Sequence, residues 1–223
     1  MSALFITATG TDCGKTFVTA GLLRHLRGAG FAARALKPVV SGFDPATPQG
    51  SDPALLLEAM GELLTPASLE AIAPLRFKAP LAPTMAARAE GVRLTLDDVL
   101  RPCKAALASA SGPLLIEGAG GVMSPIAEGA TCFDAIMALR VPTLLVAGTY
   151  LGAISHTLTA LEVMRAAGCA PCAIALNESE GSGVSFADAM AELAAFLPGV
   201  PLAPIRRGEA DFGPLAAACG LFD

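Results

Sequence analysis

Charge is scarce in this chain of 223 residues: Asp, Glu, Lys and Arg together make up 16%, against 53% hydrophobic residues. Neither sign dominates. Fifteen Lys and Arg against 20 Asp and Glu leave a net charge of −5 at pH 7, so no cationic footprint for nucleic acid exists. A disordered chain would be far poorer in apolar residues, and this balance calls for a large buried core. Long apolar runs are missing too, despite a mean hydropathy of +0.59. The stretch Val141–Ile154 follows Arg140 and is broken by Pro142, Gly148 and Gly152. It falls short of the roughly 18 uninterrupted apolar residues that a spanning helix needs. The opening MSALFITATG has no basic region, so no secretory signal and a cytoplasmic location are expected.

Cysteine is too sparse for a disulfide scaffold, and the six thiols from Cys13 to Cys219 are expected to be reduced. Cys169-Ala-Pro-Cys172 has a redox spacing, but it follows a helical stretch and leads into a strand. A redox pair needs the opposite placement, at a helix N-terminus, and no second pair completes a zinc site. His25 and His156 lie in helical stretches without a partner histidine, so neither reads as a metal ligand. There is no internal repeat, low-complexity tract or charge run.

What the chain does have is alternation. Apolar runs of strand length (4–8, 32–36, 114–117, 143–147, 173–176, 202–205) are separated by helical stretches (15–26, 96–109, 133–139, 153–167, 184–197). Thr95 and Asp98 form a capping pair for the helix starting at Leu96. Continuously apolar strands without in–out alternation predict a mostly parallel, doubly wound α/β sheet with helices on both faces. Residues 41–83, rich in Pro and Gly, read as an irregular connection over the sheet's C-terminal edge. The length fits one domain, 1–223.

Chemistry concentrates at strand ends. Ala8-Thr-Gly-Thr-Asp-Cys-Gly-Lys-Thr16 follows a strand and opens a helix, the context of a phosphate-binding loop, although Thr9 stands where the GxxxxGK[ST] spacing wants Gly. Backbone N–H groups and the helix N-terminus would hold phosphate, Lys15 would reach the outer phosphates, and Thr16 would ligate Mg²⁺. Lys37, ending the second strand before Pro38, is either a fixed cation across the crevice or a surface lysine. Glu117, followed by Gly118-Ala119-Gly120-Gly121, ends an apolar strand as a second magnesium element would. Asp52 before Pro53 either supplies an oxygen ligand or caps a helix. Asn177 at a strand end either meets a purine or makes a turn, and Arg206-Arg207 either contact nucleotide or are solvated.

Taken in order, these blocks resemble the dethiobiotin synthetases, ATP-dependent enzymes of biotin biosynthesis, from Phe5 to about Glu209. Lys37-Pro-Val-Val-Ser41-Gly42 with Glu117-Gly-Ala-Gly-Gly121 carries the likeness most specifically. The resemblance implies a P-loop NTPase-type fold and ring closure of 7,8-diaminopelargonic acid with CO₂ and ATP, through a carbamate and its mixed anhydride with phosphate. It implies Mg²⁺ on Thr16, Asp52 and Glu117, phosphates on Asp12, Cys13, Gly14, Lys15, Thr16 and Phe17, and nucleotide contacts from Gly118, Ala119 and Gly120. It places Thr11, Lys15, Lys37 and Ser41 on the diamine or carbamate, with Thr11, Lys15 and Lys37 serving catalysis. It gives adenine to Asn177 and the segment from Ile205 through Arg206 and Arg207 to about Glu209. It further implies a homodimer with the diamine site at the interface, and no nucleic-acid or membrane partner. Departures from the family are Ala8 for Gly, Asp12 for Glu, Ser155 for Asn before His156, and Arg206-Arg207 for Pro and an apolar residue. The rival is a switch ATPase of the partitioning type, which would carry a second lysine early in the loop; Ala8–Cys13 has none.

Overall fold

The computed structural model describes residues 2–208 and 211–222. Strand β1 (Ala3–Ala8) leads into helix α1 (Lys15–Gly28), followed by β2 (Arg34–Leu36) and β3 (Val39–Ser41). Next come α2 (Asp52–Met60), α3 (Pro66–Ile72), β4 (Leu75–Phe77) and α4 (Pro83–Ala89). Helix α5 (Leu96–Ser109) and β5 (Leu114–Glu117) precede a small hairpin, β6 (Pro125–Ala127) with β7 (Ala130–Thr131), and α6 (Cys132–Leu139). The remaining elements are β8 (Thr143–Ala147), α7 (Ala153–Ala166), β9 (Ala173–Asn177), α8 (Phe186–Ala195), β10 (Leu202–Ile205) and α9 (Gly213–Ala218).

Six strands form one parallel sheet in the order β10-β9-β8-β1-β5-β2. With β1 flanked by β8 and β5, the loop after β1 opens near the middle of the C-terminal edge, where doubly wound sheets bind ligands. Both faces are apolar because both are covered. Leu4 and Ile6 of β1 pack with Leu22, Leu23 and Leu26 of α1 and Leu56 of α2. Phe5, pointing the other way, packs with Ile116, Val99 and Leu100 under α5. A third cluster around Leu145, Leu161, Met164, Ile174 and Leu193 lies under α7 and α8. That is the burial pattern a parallel sheet requires.

Thr95 and Asp98 make the expected reciprocal cap on α5, and Thr65/Ser68 and Thr131/Asp134 repeat the device on α3 and α6. Some boundaries shift: α1 runs through Gly28, β2 begins only at Arg34, and α8 is shorter than 184–197. Residues 41–83 are not an irregular connection. They contain two helices and β4, which pairs in parallel with β3. Pro53, Pro66 and Pro83 stand in the first turns of α2, α3 and α4, where a missing N–H costs nothing. Cys169 and Cys172 are free thiols whose S–H groups donate to the Met164 and Thr143 carbonyls, at 3.4 and 3.2 Å. Among the described residues no helix is long and apolar enough to cross a membrane.

Candidate active site

The turn between β1 and α1 is held from two sides. Gly14 has φ +87°, and a Cβ there would lie 2.1 Å from Asn177 Nδ2, so both conformation and contact demand glycine. Asn177, at the end of β9, donates from Nδ2 to the Cys13 carbonyl at 3.1 Å. The residue expected to meet the base therefore clasps the loop itself. From the other side Gly121, beyond β5, approaches so closely that a Cβ on it would be 3.0 Å from Gly10 N. Cys13 is buried, its sulfur 3.4 Å from Thr9 Oγ1. Loop N–H groups and the α1 N-terminus together make an anion site.

Beside the loop, four charged groups meet. Lys15, the first residue of α1, is buried and donates from Nζ to Gly10 O at 3.2 Å. Burial, and after it the nearby Lys37, lower its pKa below the usual lysine value. Lys37, just past β2, is only 4% exposed and bridges Asp52 Oδ2 and Glu117 Oε1, at 2.5 Å each. Burial alone would lower its pKa, but the two carboxylates outweigh that and raise it. Asp52 is the first residue of α2, and the N-cap position belongs to Ser51. Burial would raise the Asp52 pKa; the attraction of Lys37 and its hydrogen bond hold it below its ordinary value.

Glu117 ends β5 level with Ile6 of β1 and is fully buried. Its Oε1 accepts from Thr16 Oγ1 at 2.7 Å as well as from Lys37, whereas Oε2 is buried with no hydrogen-bond partner among the described residues. A buried carboxylate oxygen left without a partner is costly, and a divalent cation would satisfy it. Thr16, Asp52 and Glu117 present only oxygen donors on one side of the loop, the donor set Mg²⁺ takes.

Two cavities share the loop as a wall, with Thr11, Asp12 and Gly14 lining both. One, of about 840 Å³, holds Lys15, Thr16, Lys37, Ser41, Asp52, Ala119 and Gly120. The other, of about 760 Å³, holds Phe17, Asn177 and Arg207. Each is large enough for a small-molecule ligand. Five expected residues line neither: Cys13 and Glu117 are buried behind the walls, and three more face elsewhere. Gly118 packs against the core, where a Cβ would be 2.8 Å from Cys132 Sγ. Ile205 points its fully buried side chain into the sheet's core. Arg206 stacks its guanidinium 4.9 Å over the Phe186 ring. Arg207 is at the rim, paired with Glu180 at 3.0 Å, and Glu209 lies outside the described residues.

A protein-family model described as an AAA domain matches residues 2–203. The ATP-dependent dethiobiotin synthetase BioD of Caulobacter sp. (strain K31) is 50% identical over 218 residues, covering 97% of this chain and 93% of that one. This chain belongs to the dethiobiotin synthetase family. The family's member from Phenylobacterium zucineum (strain HLK1) is 49% identical over 213 residues, 94% of this chain and 91% of that one. The dethiobiotin synthetases are ATP-dependent ligases, which places this chain among enzymes. A ParA family ATPase from Chlorobium tepidum TLS aligns with a TM-score of 0.53 over 99% of this chain and 90% of its own, at 9% identity. That likeness is one of fold, so it does not carry the partitioning-switch reading.

Sequence reasoning passed over two parts of the site in this dethiobiotin synthetase family member. Pro80, Leu81, Ala82 and Pro83, at the start of α4, line the charged cavity. Tyr150, in the turn after β8, lines the other cavity. The signal for Tyr150 was present: it occupies a turn at the same sheet edge as the phosphate loop.

Proposed function

We propose that this chain, acting as a single domain, converts 7,8-diaminopelargonic acid, CO₂ and ATP into dethiobiotin, ADP and phosphate. One amine adds to CO₂ to give a carbamate. A carbamate oxygen attacks the γ-phosphorus and ADP leaves, forming a carbamic–phosphoric anhydride. The second amine attacks the carbonyl carbon, the C–O bond to phosphate breaks, and the cyclic urea closes. Clustering of Lys15, Lys37 and Asp52 in one cavity with Thr11 and Ser41, with the buried Glu117 paired to Lys37 behind its wall, is the observation that carries this reading.

Two anions must meet in this reaction, the carbamate and the terminal phosphate, and fixed cations lower the barrier to their approach. Lys15 and the amides of Asp12–Phe17 hold the phosphates. Lys37, with Thr11 and Ser41, faces the diamine and its carbamate. Thr16, Asp52 and Glu117 would hold Mg²⁺, which would supply further neutralisation of phosphate charge. Little covalent work falls to side chains, because positioning and charge dominate phosphoryl transfer. The second cavity takes the nucleoside, with the Asn177 Oδ1, which makes no hydrogen bond among the described residues, accepting from the adenine amino group. Small molecules are the partners; the enzyme works in the cytoplasm as a homodimer with the diamine site at the interface.

Phosphate release from Mg-ATP, measured with diaminopelargonate and bicarbonate added singly and together, tests this. Release should require both. Release indifferent to both would return the chain to a switch-like ATPase, whatever its fold.

A further inference from the structure

The turn after Glu117 is tied to β1, to α6 and to itself, and the reaction above makes no use of the side chain that ties it to itself. Gly118 N donates to the Ile6 carbonyl and Val122 N to the Ala8 carbonyl, both at 2.9 Å. Cys132 N and Phe133 N, opening α6, donate to the carbonyls of Ser124 and Val122, both at 2.8 Å. Within the turn, Gly121 N donates to Ser124 Oγ at 2.7 Å, and Ser124 N returns a bond to the Gly121 carbonyl at 3.0 Å. The Ser124 hydroxyl therefore stands on a fixed base.

Ser124 lines the charged cavity together with Thr11, Lys15, Lys37 and Gly120. A Cβ on Gly120 would lie 2.2 Å from Ser124 Oγ and 3.9 Å from Thr11 Oγ1. Two hydroxyls, one from each loop, thus flank one point beside the Gly120 backbone. A serine hydroxyl can accept and still has one proton to give. Here the Gly121 N–H takes an acceptor position, and among the described residues the Ser124 proton has no protein acceptor. An oxygen that accepts a hydrogen bond also becomes a stronger donor through its own O–H. Lys37 in the same cavity is committed to two carboxylates. Ser124 is a neutral donor held ready beside it.

We propose that Ser124 is a catalytic residue of ring closure: its hydroxyl donates to the carbamate oxygen that stays on carbon. The inference rests on reading this cavity as the diamine and carbamate site. As the second amine attacks the carbonyl carbon, the C=O electron pair moves onto that oxygen. When the pair returns, the C–O bond to phosphate breaks and the amine's proton leaves with the phosphate. Ser124 keeps its own proton throughout. A fixed donor at an oxygen whose charge grows in the transition state lowers that barrier and leaves nucleotide binding alone.

Acid-quenched single turnovers that read ADP and dethiobiotin separately, together with the ATP Kd by calorimetry, test the proposal. In Ser124→Ala, dethiobiotin formation should slow by about 100-fold, the lower end of what loss of one oxyanion donor costs. ADP formation, which precedes ring closure, should stay within about threefold of wild type and so run ahead of product. The ATP Kd should stay within about twofold. Ser124→Thr, which keeps the hydroxyl, should recover most of the wild-type rate. A merely structural serine would slow ADP and dethiobiotin together and weaken ATP binding, and that result would overturn the proposal. So would a Ser124→Thr chain as slow as Ser124→Ala. A wild-type chain that makes dethiobiotin beside an equally fast Ser124→Ala defeats this inference alone. A wild-type chain that makes none defeats the reading of the cavity and the inference with it.

Discussion

At the scale of single residues, Lys37 is the clearest case of a side chain whose meaning comes from its neighbours. As the last residue before a proline it had two readings, surface lysine or fixed cation, and spacing could not choose between them. Burial to 4% exposure between two carboxylates at 2.5 Å chooses. Lys37→Ala should lower kcat by about 100- to 1,000-fold, the usual loss for a group that meets charge developing in the transition state. The ATP Kd should change by no more than about threefold, since Lys15 and the loop amides bind the phosphates. Equal losses in turnover and in Kd, measured side by side, would make Lys37 a ground-state nucleotide ligand only. Lys15, Thr16 and Glu117 were legible because a loop between strand and helix and a carboxylate at an apolar strand's end are local features. Arg206 was not: its guanidinium sits over Phe186, twenty residues earlier, and only the packed chain brings the pair together. Asn177 stood out as a candidate because it ends a strand, but its bond to the Cys13 carbonyl depends on strand order, which the sequence does not print.

At the scale of elements, helix α5 was readable end to end because its cap is written within four residues. The Thr95 hydroxyl, and then the Thr95 backbone N–H, hold the Asp98 carboxyl below its ordinary value of 3.8. A carboxyl lowered in the folded state binds fewer protons there than in the unfolded chain. Its contribution is therefore complete above the unfolded value and is lost as pH falls through the folded one. Asp98→Asn should be less stable than wild type at pH 7, by up to about 1 kcal/mol. The gap should close below about pH 3.8, because only the wild-type chain loses the ionised cap there. Urea denaturation of both proteins at neutral and acid pH reads this directly; a constant gap would mean that the charge on Asp98 does nothing for the cap. Residues 41–83 show the converse. Their prolines read as loop signals, yet Pro53, Pro66 and Pro83 stand in first helical turns, and three-residue strands such as β3 and β4 are too short to display a period. Composition alone cannot separate a proline that breaks an element from one that starts it.

At the scale of the molecule, everything assigned to the reaction lies along one edge of the sheet. The loops after β1, β5, β8, β9 and β10 converge there, while the turns at the opposite edge line neither cavity. The parallel arrangement was predictable from uninterrupted apolar strands, and with it the edge that carries the site; the order of strands along that edge was not. A nucleotide seated across both cavities would tie together loops from β1, β5 and β9, segments far apart in sequence that otherwise meet through few bonds. A ligand that binds the native chain alone stabilises it by mass action. At a concentration of about 100 times Kd the gain is about 2.7 kcal/mol, which raises the melting temperature of a domain of this size by roughly 5–10 °C. Mg-ATP should produce that shift in the wild-type protein and little of it in Lys15→Ala, with calorimetric melting as the readout. Hydrogen exchange should slow at the loop amides of the C-terminal edge and stay unchanged in the turns of the other. A full shift in Lys15→Ala, or protection spread evenly over both edges, would place the nucleotide away from the β1–α1 loop and undo the assignment of both cavities.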